Sequence, residues 1–97
     1  MIKKTLRKDG RIYVGFYTEA IPEAETVHLV GSFNDWDINA HPMRRLKNGH
    51  FMTSRVFAQG ASHEYRYLVN GETWVNDSDA ERYVPNPHGS DNCVVTT

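Results

Sequence analysis

Glu64-Tyr65-Arg66-Tyr67-Leu68-Val69-Asn70-Gly71-Glu72-Thr73-Trp74 decides the fold class. Tyr65, Tyr67 and Val69 point one way and Glu64 and Arg66 the other, a period of two that belongs to a half-buried strand. Asn70-Gly71 follows at once. A type I′ hairpin turn needs positive φ at both central residues, and this pair adopts it most readily. The β-prone runs 63–69 and 72–76 on either side therefore predict a hairpin.

The same signals recur outward from it. Ile12, Val14 and Phe16 share one face of 11–17, and Val27 and Leu29 share one face of 26–30. Asn48-Gly49 separates the β-prone runs 43–47 and 50–57, which predicts a second hairpin. Asn92-Cys93-Val94-Val95-Thr96 reads as a closing strand, with Cys93 facing inward if Asn92 faces out. Pro22 and Pro42 fall in connections, and 77–90, framed at its end by Pro85 and Pro87, reads as a long ordered loop. No apolar period of 3.6 residues runs long enough for a helix. The expectation is an all-β chain, an immunoglobulin-like β-sandwich of about seven to eight antiparallel strands. It forms one domain over 1–97, with 1–10 either a peripheral strand or flexible.

With 39% hydrophobic and 24% charged residues the chain has the composition of a globular protein. Eleven Lys plus Arg against twelve Asp plus Glu give a formal charge of -1. That balance argues against a nucleic-acid or anionic-membrane partner held by bulk charge. One cysteine, Cys93, excludes an internal disulfide framework and a cysteine-based zinc site. The basic start, Met1 to Asp9, lacks the apolar run of a secretion signal, and a cytoplasmic protein is expected.

Both tryptophans sit oddly for core residues. Trp36 has an acid on each side, Asp35 and Asp37, and Trp74 lies in a short run with polar neighbours. Each taken singly fits a ring that closes one end of a small core. Taken together with Arg66 and Asn92 they fit a neutral sugar polymer. A glucose unit offers an apolar C–H face to a flat indole, and its vicinal hydroxyls suit the paired donors and acceptors of Arg and Asn. By analogy with base stacking each ring would contribute ~1–2 kcal/mol. Binding on the order of 10 μM to 1 mM follows.

Val27-His28-Leu29-Val30-Gly31-Ser32-Phe33-Asn34-Asp35-Trp36-Asp37, the 64–74 segment and the run from Asp77 to Asn92 resemble the glycogen-binding early-set domains. These are the carbohydrate-binding modules of family forty-eight, found in the β subunit of AMP-activated protein kinase and ahead of the catalytic domains of isoamylases and branching enzymes. The resemblance covers about 11–97. It implies an early-set β-sandwich that binds α-1,4-linked glucan such as glycogen, starch or maltodextrin. Under it, Trp36 and Trp74 match the two sugar-stacking tryptophans, and Arg66 stands where the kinase-type domain has a lysine. Ser90 matches a hydroxyl residue and Asn92 a sugar-binding asparagine. His88 departs from the pattern, replacing a leucine that presses into the curved glucan.

Other constellations fall short. Asp35, Asp37, Asp77, Asp79 and Glu81 read as solvated turn acids rather than the paired carboxylates of a glycosidase. Asp77-Ser78-Asp79-Ala80-Glu81 starts like a calcium loop, but Arg82 and His88 stand where that loop needs Gly and Glu. His63-Glu64 lacks the second histidine of a zinc-protease motif, and the five histidines have no ligand spacing and read as surface or loop residues. Cys93 reads as a buried, inert thiol, and Lys3, Lys4, Arg7 and Lys8 as a solvated edge. Asn76-Asp77-Ser78 matches a glycosylation acceptor, a three-residue pattern that carries little weight. The expectation is therefore a non-catalytic glucan-binding module with no metal and no cofactor. The alternatives are a module that docks on a glucan-processing enzyme or kinase subunit, or a domain appended to a glycoside hydrolase.

Overall fold

The computed structural model describes residues 1–97. Its strands are β1 (Ile2–Leu6), β2 (Ile12–Tyr17), β3 (Val27–Gly31), β4 (Arg44–Arg45), β5 (Phe51–Phe57), β6 (Ser62–Val69), β7 (Thr73–Val75), β8 (Arg82–Pro85) and β9 (Asp91–Thr96). They form two antiparallel sheets, β1-β2-β5-β4 and β3-β6-β9-β8, with β7 added to β6. This is the expected all-β sandwich. The segment 77–90 differs from its reading as a loop throughout. Arg82–Pro85 pairs with β9, and Pro85 is tolerated because β8 is an edge strand that need not donate from every residue. The first ten residues supply a full edge strand, paired to β2 from Ile2 to Leu6.

Alternation sorts the residues as expected. Val14, Phe16, Val27, Leu29, Tyr65, Tyr67, Val69, Cys93 and Val95 meet in the core. Phe16 packs edge-on against Tyr65, 5.2 Å between ring centres, which ties the sheets together. Burial pushes the Cys93 thiol up to about 11, so it stays a thiol, as its inward placement implies.

The two Asn-Gly turns close differently. Asn70 and Gly71 have φ of 54° and 69°, the signs a type I′ turn requires. The Asn70 side chain adds a second function, accepting from Glu25 N and Thr26 N at 2.8 and 3.1 Å. At 48–49 only Gly49 is left-handed, and Leu46 N donates to His50 O. This is a three-residue loop ending in an αL glycine, not the type I′ turn expected, and Gly89 ends the β8–β9 hairpin the same way.

Two further expectations are corrected. Asp77 is no solvated turn acid: it is 5% exposed, and its carboxylate accepts from the Met1 amine at 2.7 Å and the Tyr65 hydroxyl at 3.0 Å. Turned inward and filled in this way, it is unavailable to a calcium loop. His63 is no surface residue either. Its ring stacks on Phe57 at 4.2 Å, and its buried Nε2 has no hydrogen-bond partner. His28 likewise buries Nδ1 without a partner.

Candidate carbohydrate-binding face

The face of β3-β6-β9-β8 that points away from the core carries His28, Val30, Glu64, Arg66, Leu68, Asn92 and Val94, with Trp74 on β7. Val30, Leu68 and Val94 lie on this outer side yet are at most 2% exposed. Their cross-strand neighbours must therefore lie over them. Leu68 sits directly between His28 and Trp74, and Val30 is opposite Arg66.

Arg66 owes its setting to a change of partner along β6. Residues 62–65 of β6 pair with β9, and residues 67–69 pair with β7. Arg66 falls at the junction, where the end of β7 and the start of β9 bring polar groups from both sides. Its Nε donates to Asn76 Oδ1 at 2.7 Å and its Nη1 to Ser90 Oγ at 3.2 Å. Its guanidinium lies 5.6 Å from the centre of the Trp74 ring system. Asn76 is itself held, donating from Nδ2 to Asp91 O at 2.9 Å.

Trp74 is 40% exposed, so one part of the indole packs and the rest meets solvent. Trp36 is 36% exposed and sits after a single 3₁₀ turn, Ser32–Asn34. Asn34 anchors that turn through Oδ1 to Gly31 N and Nδ2 to Leu29 O. Asp35 and Trp36 then both adopt left-handed φ, 56° and 57°. For a residue as bulky as tryptophan this is an outlier that costs of order 1–3 kcal/mol, and such strain clusters at functional sites.

Of the residues expected at the site, Arg66, Trp74, Ser90 and Asn92 are joined by direct contacts or through one shared neighbour, Asn86. His88 is exposed in the same turn as Ser90, its N–H bonded to Asn86 Oδ1 at 2.9 Å. Asn92 is only 7% exposed, with Nδ2 donating to Glu64 Oε1 at 3.0 Å and Oδ1 accepting from Asn86 Nδ2 at 3.1 Å. No hydrogen bond or ring contact joins Trp36 to this group. Sequence reasoning missed Asn76, Asn86 and Glu64. Asn76 drew notice only within a glycosylation pattern, whereas its amide is spent on Arg66 and Asp91.

A solvent-facing indole, a guanidinium locked beside it and a rim of amides and hydroxyls suit neutral polyhydroxyl ligands. The carbohydrate-binding module 48 (isoamylase N-terminal domain) family matches residues 7–89. The chain belongs to this family. Module 48 relatives include a 1,4-α-glucan branching enzyme of Butyrivibrio fibrisolvens, 37% identical over 57 residues, which are 59% of this chain and 9% of that enzyme. A 1,4-α-glucan branching enzyme of Vibrio cholerae is 41% identical over 46 residues, 46% of this chain and 6% of that enzyme. The module thus spans less than a tenth of the length of these curated relatives. No helix is long and apolar enough to cross a membrane.

Proposed function

We propose that this module binds α-1,4-linked glucan without catalysing a reaction. The observation that carries the reading is the Arg66–Trp74 pair, a half-exposed ring beside a guanidinium fixed by Asn76 and Ser90. Trp74 and Trp36 stack on sugar faces, Arg66 and Asn92 bond hydroxyls, and Ser90 and His88 form the rim. The family description and the glucan in the names of both branching enzymes support the same ligand class. No cofactor is required, and the module works in the cytoplasm.

Titration calorimetry with maltoheptaose tests this. The expected Kd is on the order of 10 μM to 1 mM. Trp74→Ala and Trp36→Ala should each weaken it about tenfold, the worth of one stacked ring, with the fold retained. A wild-type protein silent at millimolar sugar overturns the reading.

A second reading has the module docking on a glucan-processing enzyme. It is favoured by the names of both relatives, which are glucan-branching enzymes. Affinity capture in excess maltodextrin separates the two, because a protein partner held elsewhere than the sugar face survives the wash.

A further inference from the structure

The turn bearing His88 and Ser90 is organised by Asn86. Its side-chain amide is fully used. Oδ1 accepts from His88 N at 2.9 Å and Ser90 N at 3.2 Å, and Nδ2 donates to Ser90 Oγ and to Asn92 Oδ1, both at 3.1 Å. An amide has two donors and one oxygen with two lone pairs, so nothing is left over for a ligand. Asn86 therefore acts through its neighbours.

Ser90 Oγ accepts twice, from Asn86 Nδ2 and from Arg66 Nη1. Both lone pairs are taken, and its own proton has no acceptor in the protein. Ser90 is left as a donor only. Arg66 has spent two of its N–H groups, on Asn76 and Ser90, and the rest of its five are donors without a protein partner. At Asn92, Nδ2 must face Glu64 because Oδ1 faces the Asn86 donor. This leaves the amide in one orientation.

We infer that Asn86 is a positioning residue that makes this rim donor-rich before any ligand arrives, so that Ser90 and Arg66 recognise acceptor oxygens of the glucan. The inference rests on the proposed glucan reading and adds to it the polarity of recognition and the residue that sets it. Orienting these groups in advance spares the ligand the entropic cost of ordering them.

Asn86→Asp is the informative substitution. It keeps an acceptor for His88 N and Ser90 N, so the turn retains its bonds. It replaces the Nδ2 donor with a second acceptor. The Ser90 proton then turns inward to that oxygen, and the Asn92 amide is repelled from its present orientation. Maltoheptaose affinity is expected to fall about fivefold, the worth of one hydrogen bond, and Ser90→Ala to cost about the same. Because Asn86 works through Ser90 and Asn92, adding Asn86→Asp to a Ser90→Ala/Asn92→Ala background should change affinity less than twofold. A merely structural role for Asn86 would lower affinity equally in both backgrounds.

Wild-type affinity in Asn86→Asp, or a full additional loss in the triple variant, overturns the inference while the glucan reading stands. A wild-type protein that does not titrate ends both. Should Asn86→Asp not fold by near-ultraviolet circular dichroism, Ser90→Ala decides: unchanged affinity there overturns the inference, and the fivefold loss supports it.

Discussion

The guanidinium of Arg66 lies 5.6 Å from the centre of the Trp74 ring system while its Nε is bonded to Asn76 Oδ1 at 2.7 Å. One side chain thus connects the exposed aromatic to the amide that follows its strand. A cation beside an indole contributes ~0.5–1 kcal/mol at an exposed site, and the planar fork of arginine lets it bond Asn76 and Ser90 at the same time.

Arg66→Lys keeps the charge and loses the fork. An ammonium cannot reach Asn76 and Ser90 in the same plane, so Trp74 loses its fixed neighbour. Maltoheptaose affinity should drop about three- to tenfold, corresponding to one or two lost hydrogen bonds. Tryptophan fluorescence should report a changed environment without a change in the far-ultraviolet spectrum. Unaltered affinity and fluorescence would remove Arg66 from the site.

Strands β3 and β6 approach closely at Gly31. Its backbone is extended, so no unusual φ is involved. A Cβ there would stand 2.4 Å from Glu64 O and 2.6 Å from the Phe33 ring. Gly31→Ala must push β3 from β6 or displace Phe33, at a cost of about 1–3 kcal/mol or more. Urea unfolding should show a lower midpoint, and a midpoint equal to wild type would mean that β3 and β6 have room to spare.

Asp77 closes the end of the sandwich. Its carboxylate carries the Met1 amine and the Tyr65 hydroxyl and accepts from Asp79 N at 2.9 Å. The acid is buried while the amine is half-exposed, so the deletion chiefly strands the Tyr65 hydroxyl. Asp77→Ala should destabilise by about 1–3 kcal/mol. For a small domain that is a drop in Tm of roughly 4–20 °C. Calorimetric melting checks it, and a shift under 3 °C would show the network to be dispensable.

Acid should loosen the packing around His41 and His63. Burial, and then the Arg55 guanidinium, hold the His41 and His63 imidazoles below the usual histidine range. Arg55 also lies 5.8 Å from the Phe57 ring on which His63 stacks. In the unfolded chain both histidines take up a proton near pH 6.5 while the folded forms remain neutral. The unfolded state then binds more protons, so stability is complete above about pH 6.5 and declines as pH falls below it, levelling off once the folded imidazoles titrate. His63→Phe, which keeps the stack on Phe57 and removes one titration, should make Tm less steep between pH 7 and pH 5. An equal slope in the two proteins would show that His63 is not a source of the acid sensitivity.

Much of this was legible in single strands. The alternation of Tyr65, Tyr67 and Val69 with Glu64 and Arg66 assigned both faces of β6, and Asn70-Gly71 placed its turn. Arg66, Trp74, Ser90 and Asn92 were recognisable as a group by resemblance, and the structure brings them together. The inward turn of Asp77 was not legible, because an acid in a polar loop looks the same whether or not a tyrosine hydroxyl and an amine wait beneath it. Nor was the left-handed backbone at Trp36, which a bulky residue rarely adopts.

The sequence by itself determined which side of each strand is apolar and where the Asn70-Gly71 hairpin turns, because a period of two and a turn preference act within a few residues. Only the tertiary structure decided that Arg66 reaches Ser90 and that Glu64 holds the Asn92 amide. Those contacts follow from β6 exchanging β9 for β7 beside Arg66, a matter of strand order. Strand order is set by how two whole faces bury each other, and no local window of sequence contains that information.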